Sequence, residues 1–169
     1  MYTRQFSAIA FAAVLVATSV ALAQTPQRTT ATYEDWVLRC ENQDSGKLCE
    51  IVQATQVQGN PNPVSQVAIG KPNKTEPLKI AFQVPVNVWL PTGIRLVVDD
   101  KDPGIAAAFK RCIGAACLAD TDLKDDALKK LRAQHENGKL LFKDATQKDV
   151  ALPVSFKGFV AAFDAMTKQ

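Results

Sequence analysis

Four cysteines, Cys40, Cys49, Cys112 and Cys117, lie behind an N-terminal stretch built for export, and this pairing constrains the fold more than any other feature of the 169 residues. Arg4 supplies a positive charge. Phe6 to Val20 is almost wholly apolar, broken only by Ser7, Thr18 and Ser19, and Ala21-Leu22-Ala23 places small residues where a signal peptidase cuts. That order of charge, apolar run and small-residue exit is the order of a secretory signal. The rival is a membrane anchor, but the run is shorter than the ~20 residues of a span, and Gln24-Thr25-Pro26 follows it instead of a basic stop-transfer cluster. Residues 1–23 are therefore expected to be a signal peptide, 24–32 a polar lead-in and 33–169 a single disulfide-stapled domain, with no transmembrane segment once the signal is removed. An even cysteine count in an exported chain reads as two disulfides. Three pairings are possible; proximity favours Cys40–Cys49 and Cys112–Cys117, since each pair flanks a turn. A four-cysteine zinc site competes with this, but it wants C-x₂₋₄-C knuckles, and eight residues separate Cys40 from Cys49.

The body alternates in the manner of strands. Trp36, Leu38 and Cys40 interleave with Val37 and Arg39, turn through Glu41–Lys47 and return along Ile51–Thr55. Gly59-Asn60-Pro61-Asn62-Pro63 breaks the chain. Val64–Ile69 follows, and then the clearest period-2 pattern, Leu78, Ile80, Phe82 and Val84, with one face expected in the core. Ile94, Leu96 and Val98 form a further strand; Ala106–Cys112 and Cys117–Ala119 form two more across Ile113–Ala116. Asp122 is expected to cap a helix carrying Leu123, Ala127, Leu128 and Leu131, with Gly138 as its stop. Leu140 and Phe142, then Val150, Leu152 and Val154, are the last strands. Ser155 is expected to cap a C-terminal helix bearing Phe156, Phe159, Val160 and Phe163. Short strands with one or two accessory helices near the C-terminus argue a mainly β protein, a β-sandwich.

The residues point away from catalysis, and no catalytic residue, cofactor or metal site is expected. With Arg4 removed, Lys+Arg falls from 20 to 19 against 17 acids, so the mature net charge is 19 − 17 = +2, too small to argue for nucleic acid. His135, the only histidine, sits where an imidazolium complements a helix C-terminus. Nothing around Ser45, Ser65 or Ser155 forms a nucleophile elbow. Asp99-Asp100-Lys101-Asp102 lacks EF-hand spacing, and Asp120, Asp122, Asp125 and Asp126 crowd a helix start where carboxylates favour the dipole. Carboxylate pairs can meet in space without a sequence signature, so a hydrolase stays open as a third reading.

One stretch suggests a contact surface. Pro85 and Pro91 bracket Val86–Leu90, which fits an edge strand or an ordered loop. If Val86, Val88 and Leu90 face inward, Trp89 faces outward, and Trp89, Leu90 and Pro91 form a candidate contact patch. The alternative is that Trp89 folds over a sheet edge as cover.

Several segments together resemble the invasion-associated locus B family. They are Tyr33-Glu34-Asp35-Trp36 with Cys40, Cys49-Glu50-Ile51-Val52-Gln53, Val67-Ala68-Ile69-Gly70 and Leu90-Pro91-Thr92-Gly93-Ile94, then Phe109-Lys110-Arg111-Cys112 with Cys117-Leu118-Ala119, and Leu152-Pro153-Val154-Ser155-Phe156-Lys157-Gly158-Phe159 followed by Ala162. They span nearly the whole expected mature chain in order. Ala116 departs from the glycine expected before the second cysteine of its pair. The resemblance implies an exported proteobacterial protein with an immunoglobulin-like β-sandwich, and links some members to host-cell entry. It brings no catalytic residues. The leading expectation is a non-enzymatic interaction module of the cell envelope with a protein or cell-surface partner, located in the periplasm, at the outer membrane or outside the cell. The second is a periplasmic housekeeping factor for envelope assembly or stress tolerance.

Overall fold

The computed structural model describes residues 27–43, 46–59, 62–99 and 102–169. The expected signal peptide, the start of the lead-in, and parts of the Glu41–Lys47 turn, the Gly59–Pro63 break and the Asp99–Asp102 turn lie outside the described residues.

Two antiparallel sheets in a sandwich-like arrangement and two short helices make up the domain. The larger sheet begins as a meander of β1 (Arg28–Tyr33), β2 (Trp36–Gln43), β3 (Gly46–Thr55), β4 (Ser65–Gly70) and β5 (Lys79–Pro85). The smaller sheet takes β6 (Ile94–Val97) and β7 (Ile105–Ala107). The chain then returns to the larger sheet as β8 (Phe109–Ile113) and β9 (Ala116–Asp122), with β9 paired to β5. After α1 (Asp125–Arg132), β10 (Gly138–Lys143) and β11 (Asp149–Val154) complete the smaller sheet in the order β11-β10-β6-β7. The chain ends in α2 (Phe159–Thr167).

The alternation read from the sequence is the alternation of burial. Trp36, Leu38 and Cys40 of β2, Val67 and Ile69 of β4, and Ile80, Phe82 and Val84 of β5 all point into the core. Ile94 and Leu96, Leu140 and Val154 meet them from the smaller sheet. A residue pattern of period two does this because successive side chains leave opposite faces of a pleated strand. Both disulfides form as the spacing suggests. Cys40 lies directly opposite Cys49 across β2–β3, and Cys112 opposite Cys117 across β8–β9, so each bridge staples one hairpin.

Several boundaries differ from expectation. Part of the polar lead-in is β1, paired along its whole length with β2; its side chains are exposed, so no apolar alternation announced it. The stretch Ala106–Cys112 is not one strand: the chain changes sheets at Ala108, leaving Ala107 in the smaller sheet and Phe109 in the larger. Asp122 does not cap α1. It ends β9, pairs with Lys79 at 3.0 Å, and leaves the N-cap position to Lys124.

Ser155 likewise does not cap α2; Gly158 holds that position. The buried stripe of α2 is Phe159, Ala162, Phe163 and Met166, while Val160 faces water and Phe156 is buried ahead of the helix. The expected stripe assumed a helix starting one turn earlier. Gly158 takes a left-handed φ of +79°, and a Cβ there would meet the carbonyl oxygen of Tyr33. Only glycine tolerates that approach and that φ together, so the helix begins after it.

Candidate functional site

Two of the segments carrying the family resemblance, the first and the last, hold one another. The indole N–H of Trp36 donates to the Ser155 carbonyl at 2.9 Å, and the Ser155 hydroxyl donates to Asp35 Oδ2 at 2.6 Å. Phe159 packs edge-on against Trp36 at 5.0 Å between ring centroids. Tyr33–Trp36 and Val154–Phe159 are therefore one docking joint, which seats α2 on the β1–β2 hairpin. Beside it a polar recess of about 360 Å³ is lined by Asp35, Gln53, Asn137 and Ser155, among others. His135 is exposed, and no hydrogen bond among the described residues ties it to Ser155 or Asp35. Ser155 there is a structural hydroxyl: it bonds a carboxylate and accepts from the Lys157 amide at 3.2 Å. No group of three or more metal-ligating side chains gathers among the described residues.

Several of the carboxylates noted in the sequence are engaged in structure. Asp102 accepts from the Gly104 amide and pairs with Lys130; that hydrogen bond to Lys130 is the main reason its carboxyl titrates below the usual range. Asp126 lies 3.7 Å from Lys129 on the exposed face of α1. Asp120 faces a broad concavity of about 870 Å³ on the outer surface of the larger sheet. Small residues, Ala68, Gly70 and Ala81, form its floor, and two of the cations along it are paired, Arg39 with Glu50 and Lys79 with Asp122.

The Trp89 segment is presented rather than tucked away. Its backbone is pinned on both sides: Val86 N–H donates to Ala115, Trp89 N–H to Lys143, and Ala145 N–H to Asn87. Leu90–Thr92 forms a single 3-10 turn, and Gly93 closes it by donating to the Leu90 carbonyl at 3.1 Å. Gly93 needs its left-handed φ of +65° because a Cβ would lie 2.5 Å from the Ala107 carbonyl oxygen. Trp89 is 36% exposed, Leu90 51% and Val86 38%; Pro91 is exposed too. Of the three residues expected to face inward, only Val88 packs against the core. The phase argument fails for Val86 and Leu90 because Asn87 has a left-handed φ of +71° and the 3-10 turn follows, so the stretch never keeps strand periodicity. The Val86–Ala115 hydrogen bond also ties this segment to the β8–β9 turn, and Ile113, which ends β8 just before that turn, is 60% exposed. Sequence reasoning missed Ile113; nothing local marks the end of β8 as adjoining a turn that bonds a segment 29 positions before Ala115.

Fold and surface thus define a class: a β-rich domain stapled by two hairpin disulfides, with a C-terminal helix docked on its first hairpin and a rigidly held apolar surface. The chain belongs to the invasion associated locus B (IalB) protein family, whose model matches residues 36–167. Its fold is that of invasion associated protein B from Bartonella henselae, whose crystal structure superposes with a TM-score of 0.73. The match covers 83% of this chain and 95% of that one at 22% identity. Compared with curated proteins, the sequence has no match.

Proposed function

We propose that the protein is a non-enzymatic interaction module of the bacterial envelope, and that the surface built from Val86, Trp89, Leu90, Pro91 and Ile113 is where it meets a protein partner. The observation that carries this reading is the exposure of large apolar side chains on backbone that hydrogen bonds hold still. Exposed apolar clusters mark contact sites in folded domains. Tryptophan in particular supplies large contact area with little conformational entropy to lose. A pre-formed backbone lowers the ordering cost of association. Export fits the same reading: two disulfides persist in an oxidising compartment, and no helix among the described residues is long and apolar enough to cross a membrane. The family's association with invasion makes a host-facing partner the first to test.

A photo-crosslinking residue placed at position 89 or 90 in the native organism tests the proposal, with Lys129 on the exposed face of α1 as the control position. Discrete heavier adducts from 89 and 90, weakened by Ile113→Ser, are expected. Adduct patterns no different from those at 129 would refute this surface as the contact. Fractionating the adducts between periplasm, outer membrane and medium then separates an outward-facing partner from an envelope-assembly role.

A further inference from the structure

A second concavity shares no residue with the Trp89 surface and does not rest on that reading. It opens between the last turns of α2, the start of β3 and the β4–β5 connection, with a volume of about 330 Å³, inside the ~300–1,000 Å³ range of small-molecule pockets. Its walls are apolar: Leu48, Leu78, Phe163 and Met166 line it, beside Cys49. Its rim is cationic, with Lys47, Lys71 and Lys74. We propose that this groove binds one anionic amphiphile, a long-chain fatty acid, with the alkyl chain along Phe163, Met166, Leu48 and Leu78 and the carboxylate among the three lysines.

Charge complementarity argues for the occupant. None of the ion pairs among the described residues uses Lys47, Lys71 or Lys74. The side-chain carboxylates of Glu50 and Glu76 have other partners: Glu50 pairs with Arg39 at 2.9 Å, and Glu76 accepts from Asn73 at 2.8 Å while lying 3.7 Å from Lys79. Lys47 donates to the neutral side-chain oxygen of Gln169, and Lys74 lies folded back over Gly46. Carbonyls of the last turn of α2 are capped by Thr167 and Gln169, which bond to Asp164 and Ala165. Their negative ends are thus partly satisfied before any anion arrives.

Depth argues for a single chain rather than a bilayer. Phe163 and Met166 are buried, Leu48 and Leu78 half-buried, and none of the exposed large apolar side chains of the described residues lines this groove. A membrane-docking face needs apolar side chains that protrude past its cations; here they are recessed beneath them, so an alkyl chain enters the protein.

The test uses protein purified from the periplasm of an expressing host, with cis-parinarate, a fluorescent fatty acid, as probe. Saturable one-to-one binding is expected, displaced by dodecanoate and far less by dodecyltrimethylammonium, which has the same chain and the opposite charge. Lys71→Glu/Lys74→Glu should weaken parinarate binding about tenfold or more, whereas Lys71→Arg/Lys74→Arg should keep it, since arginine retains the charge. Leu78→Trp, which fills the groove from a half-exposed position, should also abolish binding. Unchanged far-UV dichroism in each variant ties the loss to the site. Equal displacement by the cationic amphiphile, or charge-reversed protein binding as well as wild type, would overturn the proposal. So would binding only to phosphatidylglycerol vesicles, with no uptake of soluble parinarate.

Discussion

Replacing Phe159 by alanine should destabilise the domain more than any other single truncation in α2. The ring is 1% exposed and is the hub of an aromatic cluster. It lies edge-on to Trp36 at 5.0 Å and to Phe156 at 5.7 Å, and stacks on Phe163 at 6.0 Å. Buried Phe→Ala changes cost ~3–5 kcal/mol through lost transfer energy and the cavity left behind. Each aromatic pair adds ~0.5–1.5 kcal/mol beyond area, so three broken pairs place this site at the upper end, ~4–5 kcal/mol. A domain of this size loses about 3–4 °C of melting temperature per kcal/mol, which makes the expected drop roughly 12–20 °C. Thermal unfolding followed by near-UV dichroism reads it directly, because Trp36 shares the cluster, and urea unfolding gives the free energy independently. A midpoint within about 2 °C of wild type would refute the docking of α2, since less than 1 kcal/mol would then reside in the ring.

Gly158→Ala should also destabilise the fold, despite adding only one methyl. The residue must leave a left-handed φ of +79° or push a Cβ into the Tyr33 carbonyl, strain worth at least ~1–3 kcal/mol, and a chemical-denaturation midpoint equal to wild type would contradict the geometry. Each hairpin disulfide should contribute ~2–3 kcal/mol on the chain-entropy estimate. Each bridge has one buried cysteine, Cys117 or Cys40, but the other half is exposed at Cys112 and only half-exposed at Cys49, so mild reductant should open Cys112–Cys117 first; differential alkylation with peptide mapping gives the order. Acid should weaken the fold through three carboxyls held below their usual range: Asp164 chiefly by its hydrogen bond from Arg132, Asp102 by that from Lys130 and Asp144 by that from Thr146. A group whose folded pKa is depressed stabilises the fold above about pH 4, and that contribution is lost as pH falls through the folded value. Asp164→Asn should therefore flatten the acid limb of a stability–pH profile measured by urea unfolding; an unchanged limb would mean that the Arg132–Asp164 contact between α1 and α2 does not hold in solution.

The Arg132–Asp164 contact, at 2.7 Å, illustrates what a sequence conceals. Arg132 also lies 5.5 Å from the centre of the Phe163 ring, so one guanidinium joins the two helices by charge and by its face. Neither helix shows this in its own residues, for the partners are 32 positions apart. The candidate surfaces divide the same way. Trp89 and Leu90 stood out in the sequence because two prolines and a broken period marked them. Ile113 did not, and nothing in Lys71 or Lys74 foretold that they would rim a groove floored by Phe163 and Met166.

The sequence by itself determined what depends on neighbours a few residues away. Alternation set which faces of β2, β4 and β5 are buried, because the pleat gives every second side chain the same direction. Cysteines nine and five residues apart across turns became the two bridges, because a hairpin places such positions opposite each other. Tertiary structure alone decided the rest. It placed β9 beside β5, past three intervening strands, and moved the chain between sheets at Ala108. It made a strand of part of the polar lead-in and put the cap of α2 at Gly158 rather than Ser155. The physical reason is that local geometry fixes only a strand's direction and its wet and dry faces. Which strand lies alongside it, and where a helix begins against a neighbour's carbonyl, are settled by the competition among distant segments to bury apolar surface and pair every backbone amide.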